Sequence, residues 1–250
     1  MAVLKLISLN IEKSKHLDRV IPFISRELPD VFCVQELFER DIPHFSKALG
    51  SVAYAYVPMT RRINETPPEI QGLATFSRFP IVHQEVHYYQ GDSEHVPDSD
   101  TEDPKTFTRN NYTVLICDIE KDGYPFRICT THFTWTPDGK PDDLQRDHIK
   151  KLLKILESVG EFVFPGDFNA PRGGEIFGML AEKYKDNVPS HYKTSLDILL
   201  HWAGKTRPRE LEDKMVDGIF STPGYRVSNV EMISGVSDHC ALIADVSRSF

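Results

Sequence analysis

The stretch that most constrains the fold is Glu161-Phe-Val-Phe-Pro-Gly-Asp-Phe-Asn-Ala170, where an apolar run stops at Gly166 and a carboxylate and an amide follow at once. Phe162, Val163 and Phe164 read as a buried strand, Pro165-Gly166 as the breaker that turns the chain out of the sheet, and Asp167 and Asn169 as side chains delivered at its edge. Two residues apart, they can share one face. A lone Asp and Asn after a strand commonly do no more than start a turn. Here the pattern recurs. Apolar runs end in polar, metal-competent residues at Leu4 to Asn10, Asp30 to Glu36 and Arg127 to His132, and Ser237-Asp238-His239 stands directly before the last apolar run, Ala241 to Val246.

Taken in order, Val3 to Leu9 reads as a strand, His16 to Leu28 as a helix and Asp30 to Gln35 as a second buried strand. That unit brings Asn10 and Glu36 to one sheet edge, a place where ligands commonly gather. A helix over Phe38 to Leu49 and a strand over Val52 to Val57 follow, and Gln71 to Val82 reads as a strand, a Ser-Arg turn and a restart. Asn111 to Ile119 and Pro125 to Phe133 form a β-hairpin around Lys121-Asp122-Gly123, which delivers His132 to the edge. A helix from about Leu144 to Val159 connects it to the strand before Asp167, and Gly174 to Lys183 is another helix. The final strands are Met215 to Ser221, Tyr225 to Ser234 and Cys240 to Val246, whereas Tyr184 to Asp213 shows no consistent period. Interleaved strands and helices over residues 1–250 point to one α/β domain, a two-sheet β-sandwich flanked by helices. The acidic insertion at about 90–106, with Asp92, Glu94, Asp98, Asp100, Glu102 and Asp103, reads as a mobile loop or lid.

Asn10, Glu36, Asp167, Asn169 and Asp238 offer hard oxygen ligands with no thiolate cluster beside them, a set that prefers Mg²⁺, with Mn²⁺ as the alternative. Phosphoester hydrolysis is the natural use of such a site. His83 and His87, four apart, do not make a zinc-protease motif, because the glutamate is misplaced and the alternation is that of a strand. Cys33, Cys117, Cys129 and Cys240 all lie inside apolar runs and read as buried hydrophobes. No segment reaches membrane-span length and the N-terminus runs straight into a strand, so a cytoplasmic, monomeric protein with no protein partner is expected. The net charge of -8 and the acidic insertion disfavour tracking a long phosphate backbone, and short or single-stranded nucleic acid or a small phosphoester is the expected substrate.

Ser8-Leu-Asn10, Gln35-Glu36, Thr131-His132, Gly166-Asp-Phe-Asn169, Val216-Asp217-Gly-Ile-Phe220 and Ser237-Asp238-His239 together resemble the endonuclease/exonuclease/phosphatase superfamily over nearly the whole chain. That superfamily includes deoxyribonuclease-like, abasic endonuclease-like, sphingomyelinase-like and tyrosyl-DNA phosphodiesterase-like phosphoesterases. The resemblance implies a deoxyribonuclease-like four-layer sandwich and a Mg²⁺-dependent phosphodiester hydrolase. In it, Glu36 binds the metal with Asn10 and Asp238, Asp167 positions or deprotonates the attacking water, and Asn169 holds water or phosphate. His239, paired with Asp217, stabilises charge on the pentavalent phosphorus, and His132 contacts a phosphate oxygen. Nuclease members place a further glutamate near the glycine-led strand, and the sequence does not choose between Glu69 and Gln71 for that role. Arg61, Arg62, Arg109, Trp135 and Trp202 are candidate substrate contacts, with Arg109 as a phosphate clamp and Trp135 as a stacking face. Competing readings are a phosphatase or sphingomyelinase-like hydrolase, a non-catalytic binding module of the same fold, and a zinc hydrolase using His83, His87 or His132.

Overall fold

The opening strand sets the layering. Residues 2–249 are described by a computed structural model, in which β1 (Val3–Asn10) sends Ile7 and Leu9 into a core shared with Val20, Phe23 and Ile24 of α1 (Leu17–Glu27). Leu4 and Leu6 point the other way, into the larger core between two sheets. Ser8 and Asn10 continue that inner face by alternation, so the strand ends with a polar residue at the rim of the interior. β2 (Val31–Phe38) lies parallel to β1 with Gln35 opposite Asn10. The register of β2 against β4 (Glu69–Ser77) shifts between Val34 and Leu37, and Glu36 there takes φ 60°. Such a bulge re-aims a side chain, here the carboxylate expected at the site.

After α2 (Ile42–Ala48) come β3 (Ala53–Arg62), β4, β5 (Ile81–Gln90) and β6 (Asp98–Ser99). The hairpin of β7 (Tyr112–Lys121) and β8 (Tyr124–His132) turns through Asp122 and Gly123, both at positive φ as a tight hairpin requires. Helix α3 (Asp143–Val159) starts under the side chain of Asp142, which accepts the Gln145 N–H, and leads into β9 (Val163–Asp167). The chain closes with α4 (Glu175–Ala181), β10 (Lys185–Asp186), β11 (Asp217–Ser221), β12 (Tyr225–Ile233) and β13 (Ala241–Arg248). Seven strands form one sheet in the order β12-β13-β1-β2-β4-β3-β6, and six form the other in the order β10-β11-β9-β8-β7-β5. Helices α1 and α2 cover the first, and the buried faces of α3 and α4 join the core of the second, which gives the α/β sandwich expected. Gln35 links the sheets by donating to Thr130 at 3.2 Å.

Two expectations are corrected. Pro165-Gly166 does not turn the chain out of the sheet, because β9 runs through both to Asp167, with Ile219 and Gly218 as partners on β11. The missing N–H of Pro165 falls where the ladder to β8 is interrupted between the Ile128–Val163 and Thr131–Gly166 pairs. The acidic insertion is no free lid. Edge strand β3 takes β6 as a parallel partner, Arg61 grips Asp98 through two bonds of 2.6 and 2.9 Å, and Asn111 donates to the carbonyls of Asp92 and His95. Unpaired groups on the β3 edge supply the driving force for that docking.

Gly166 is needed for close approach. A Cβ there would press into the carbonyl oxygen of Thr131 on β8. Gly166→Ala is therefore expected to destabilise the protein by about 1–3 kcal/mol, the usual scale of overpacking, as read from denaturant unfolding. An unchanged midpoint would mean that β8 and β9 do not pack as described.

Candidate active site

Sheet register builds the centre of the site. His132 on β8 pairs with Asp167 on β9, and Asp167 pairs with Asp217 on β11. Cross-strand partners share a face, so three ionisable side chains stand in a row at the strand ends. Asp167, only 1% exposed, is the hub. Its Oδ2 accepts from Asn10 Nδ2 at 3.0 Å and lies 3.5 Å from His132 Nε2 and 3.9 Å from His239 Nε2. Its Oδ1 accepts the backbone N–H of Asn169 at 2.8 Å, a local turn that holds Asn169 at φ 49°. The Asn169 amide nitrogen donates to the Phe133 carbonyl at 2.8 Å, leaving its Oδ1 uncommitted among the described residues at the wall of the cleft.

His239 Nδ1 lies 2.7 Å from Asp217 Oδ2. Burial works against charge on the imidazole, but Asp217 and then Asp167 outweigh it and hold the His239 pKa well above its usual value. Burial also pushes the Asp217 carboxyl up, which alone would favour a neutral pair. With two carboxylates around one imidazole, the ion pair prevails, and Nε2 is left to face Asp167. The pair is clamped from behind by a segment whose periodicity is unreadable. Ser195 Oγ accepts the N–H groups of Val216 and Asp217, both at 3.0 Å, Cys240 N–H donates to the Ser195 carbonyl at 2.7 Å, and Asp197 N–H donates to the Asp238 carbonyl at 2.8 Å.

Carboxylates converge beside this row. Glu36 Oε1 accepts from Asn10 Nδ2 at 3.3 Å and lies 3.8 Å from His132 Nε2. Burial would raise its pKa, but His132, Arg62 and Lys13 hold the carboxyl below its usual value. Asp238 is the opposite case. Burial pushes it up to about 7 against the pull of His239, and the nearby Glu12 and Glu36 add to the rise. Glu12, His16 and Asp238 bring one donor atom each within 4.8 Å of the others. Carboxylates with no thiolate among them suit a hard divalent cation; Glu12 and Asp238 supply the oxygens of that cluster, and Glu36 stands outside it, beside Asn10 and His132. Asn10, expected as a further oxygen ligand, is turned otherwise. Its Oδ1 accepts the Glu12 backbone N–H at 3.1 Å, a donor that fixes the orientation of the amide, so the nitrogen faces the site and ties Glu36 to Asp167.

These residues open into a cleft of about 980 Å³. Trp135, 38% exposed, lines it and meets Phe107 edge-on at 5.6 Å. Trp202, left between core and wall by the sequence, is 64% exposed on the cleft, with the Arg207 guanidinium 5.1 Å from its ring centroid. Arg109 is corrected. It is exposed on the 3-10 turn Pro104–Arg109 and does not line the cleft, because that turn directs Phe107 and Asn110 inward instead. The arginines that do line it are Arg207, beside Trp202, and Arg62, bound to Gln71. Glu69 is occupied by Arg40 at 2.8 Å, so of the two residues near the glycine-led strand only Gln71 reaches the cleft. His83 and His87 flank Glu85 on an exposed strand far from these groups in the fold order, as their spacing indicates.

The sequence matches the Endonuclease/Exonuclease/phosphatase family over residues 7–239. The chain belongs to that family. Among curated proteins none matches it in sequence. Solved structures show the fold of the family: a member from Bacteroides vulgatus is 18% identical, with each chain covered over its full length and a TM-score of 0.72. The human Nocturnin catalytic domain with bound sulfate anion is 18% identical, with 99% of this chain and 94% of that one covered and a TM-score of 0.70. The mannosyl-6-phosphatase Bt3783 of Bacteroides thetaiotaomicron is 15% identical, with 99% and 100% covered and a TM-score of 0.65.

Within this family member, the structure brings Asn10, Glu36, His132, Asp167, Asn169, Asp238 and His239 to one cleft, with Asp217 behind His239. Sequence reasoning missed Glu12, His16 and Ser195. Glu12 had a signal, a carboxylate two residues past a strand-end asparagine; Ser195 had none.

Because Asp217 is the contact that charges His239, Asp217→Asn is expected to move the His239 imidazole titration to lower pH in an NMR pH series. Titration at the same pH in both proteins would return Asp217 to the status of an ordinary strand residue.

Proposed function

We propose that the protein is a Mg²⁺-dependent phosphodiester hydrolase acting on short or single-stranded phosphodiesters or on a small phosphoester. The observation that carries this reading is Asp167, a buried carboxylate held by Asn10 and faced by His132 and His239 at the mouth of an open cleft. A carboxylate so fixed can orient a water and take its proton as the oxygen attacks phosphorus. The uncommitted Asn169 Oδ1, two residues on, accepts the second hydrogen of that water and fixes its direction of attack. His239, charged by Asp217, presents Nε2 toward the oxygens where negative charge develops. His132 does the same from the opposite side of Asp167. Asn10 sets the spacing between Glu36 and Asp167 by bonding to both.

Glu36 and Asp238, with Glu12, would hold the metal, which when bound supplies Lewis-acid polarisation of the phosphoryl oxygens. Among proteins of the same fold, one structure carries a sulfate anion and another is named a mannosyl-6-phosphatase, which supports phosphate-like ligands and small substrates. The polar positions expected at the strand ends are filled, which disfavours a binding module without chemistry; the further glutamate of nuclease members is not among them, since Glu69 pairs with Arg40. A cytoplasmic location belongs to the same reading and is supported by four cysteines that are all buried and free.

A panel of bis(p-nitrophenyl) phosphate, the dinucleotide TpT and p-nitrophenyl phosphate, with Mg²⁺, Mn²⁺ or chelator, tests it. Hydrolysis of a phosphodiester with Mg²⁺ and none in chelator is expected. Asp167→Asn and His239→Ala should each lower kcat by roughly 10²-fold or more, and Glu36→Gln should raise the Mg²⁺ concentration needed without lowering the unfolding temperature. Full activity in chelator, or near wild-type turnover in either catalytic variant, would overturn the assignment.

A further inference from the structure

The acidic insertion does more than cover a sheet edge. It carries Ser99 and Phe107 to Arg62, the last residue of β3. Arg62 is only 6% exposed, yet it lines the same cleft as Glu36 and His132. Its guanidinium is fixed on three sides: Nε donates to Gln71 Oε1, Nη1 donates to Ser99 Oγ at 2.9 Å, and the Phe107 ring centroid lies 4.9 Å from Cζ. Ser99 is held in turn by Thr60 Oγ1 at 2.7 Å. All of these partners are neutral.

A buried cation without an anion is costly. Removing a guanidinium from water is compensated when a carboxylate or phosphate pairs with it, and hydrogen bonds to neutral oxygens return only part of that loss. Arg62 makes no ion pair within 4.0 Å among the described residues. Burial accordingly works against its charge, while Glu36, Glu65 and Asp100 act on it only from a distance. The neighbouring Arg61, by contrast, is exposed and spends its charge on Asp98, which docks the insertion. One arginine is thus used to build the element, and the element is used to hold the other arginine open to the cleft.

The position of this cation gives it a role separate from the reacting phosphorus. In the seven-stranded sheet, β4 lies between β3 and β2, so Arg62 approaches the cleft from two strands beyond the one that carries Glu36. Asp167 stands at the end of β9, which packs across β1 and β2, and His132 at the end of β8, which packs across β2 and β4, whereas β3 with Arg62 packs against β7. A single phosphoryl group seated in the Asp167 row leaves Arg62 to meet something else.

We propose that Arg62, held by Ser99 and Phe107 of the insertion, is a specificity-determining receptor for a second phosphoryl group that the substrate carries beside the scissile one. The shared chemistry is a doubly phosphorylated substrate. Its second phosphate comes either from the neighbouring linkage of an oligonucleotide or from a small bisphosphate. Arg62 makes its contact in the ground state and the transition state alike, since the second group does not react, so it acts on KM and leaves kcat in place. Phe107 and Ser99 are positioning residues. This inference rests on the phosphoester reading above for its substrates, and the test below separates the two.

The experiment compares substrates that share a scissile bond and differ by one phosphate: TpT against its 5′- and 3′-phosphorylated forms, and fructose 6-phosphate against fructose 1,6-bisphosphate. For one of these pairs the additional phosphate is expected to lower KM by about tenfold or more, the scale of a charge-assisted contact to a fixed arginine, with kcat little changed. Which pair responds identifies the source of the phosphate. Arg62→Gln should abolish the ratio within each pair and Arg62→Lys should retain part of it, each variant being compared only with itself across the pair. The same ligands bound to Asp167→Asn protein in chelator, read by calorimetry, supply an affinity ratio that does not depend on turnover. If Arg62→Gln does not fold, Phe107→Ala, which removes the ring under the guanidinium and leaves its hydrogen bonds, is expected to shrink the ratio several-fold. Equal KM and equal affinity within every pair, or a preference that survives Arg62→Gln in a folded protein, overturns the inference even where hydrolysis is confirmed. A phosphate preference in binding that requires Arg62, in a protein that hydrolyses none of the substrates, upholds the inference and removes the proposed activity instead.

Discussion

The site depends on the register that sets His132, Asp167 and Asp217 side by side across β8, β9 and β11. A shift of one residue in any of these strands would send its ionisable side chain to the opposite face of the sheet. The register is protected by a steric constraint rather than by the polar groups. Gly166 lets β9 lie close against the Thr131 carbonyl, and Phe162, Val163 and Phe164 anchor the same strand in the core. Packing one turn below the rim therefore decides where the carboxylate stands. The polar contacts then select among its rotamers.

The second sheet supplies the rest by a different device. Asn10 and Glu36 come from adjacent parallel strands, but only Asn10 follows the pleat; Glu36 is re-aimed by the bulge in β2 and its positive φ. Asp238 and His239 come from the loop before β13 and owe their position to Ser195 and Asp197, whose backbone groups bond to Asp238 and Cys240. Between the sheets, a buried Gln35–Thr130 hydrogen bond keeps the two halves of the site in one frame. Asn10, itself buried, completes the frame by reaching from the first sheet to Asp167 in the second. The arrangement is assembled from both layers, so neither sheet alone contains the chemistry.

Much of this is legible in the sequence for a simple reason: strands that end at one rim expose their last residues to one cleft, and a run of apolar residues followed by Asn, Glu, His or Asp marks each such end. The α/β sandwich and seven of the rim residues follow from that pattern, while Asp217, inside a strand, was marked only by the family resemblance. What was hidden has physical causes. Pro165-Gly166 carries strong local turn chemistry, yet pairing with β11 on one side and close contact with β8 on the other override it. Ser195 and Asp197 act through backbone hydrogen bonds from an irregular segment, where no periodicity tells which residue faces in. Arg109 and Arg62 look alike in the sequence. Which one enters the cleft depends on β3 extending as far as Arg62 and on a parallel pairing with β6 that local propensity does not encode.

The central claim is that water positioned by Asp167 attacks phosphorus directly, with no bond formed between the phosphoryl group and the protein. Hydrolysis of one diastereomer of thymidine 5′-(p-nitrophenyl phosphorothioate) in ¹⁸O-labelled water with Mg²⁺, with the configuration of the chiral phosphorothioate product read by ³¹P NMR, tests this most directly. The account predicts inversion at phosphorus, the outcome of a single in-line displacement by water. Net retention, the outcome of two displacements through a phosphorylated side chain, would contradict it.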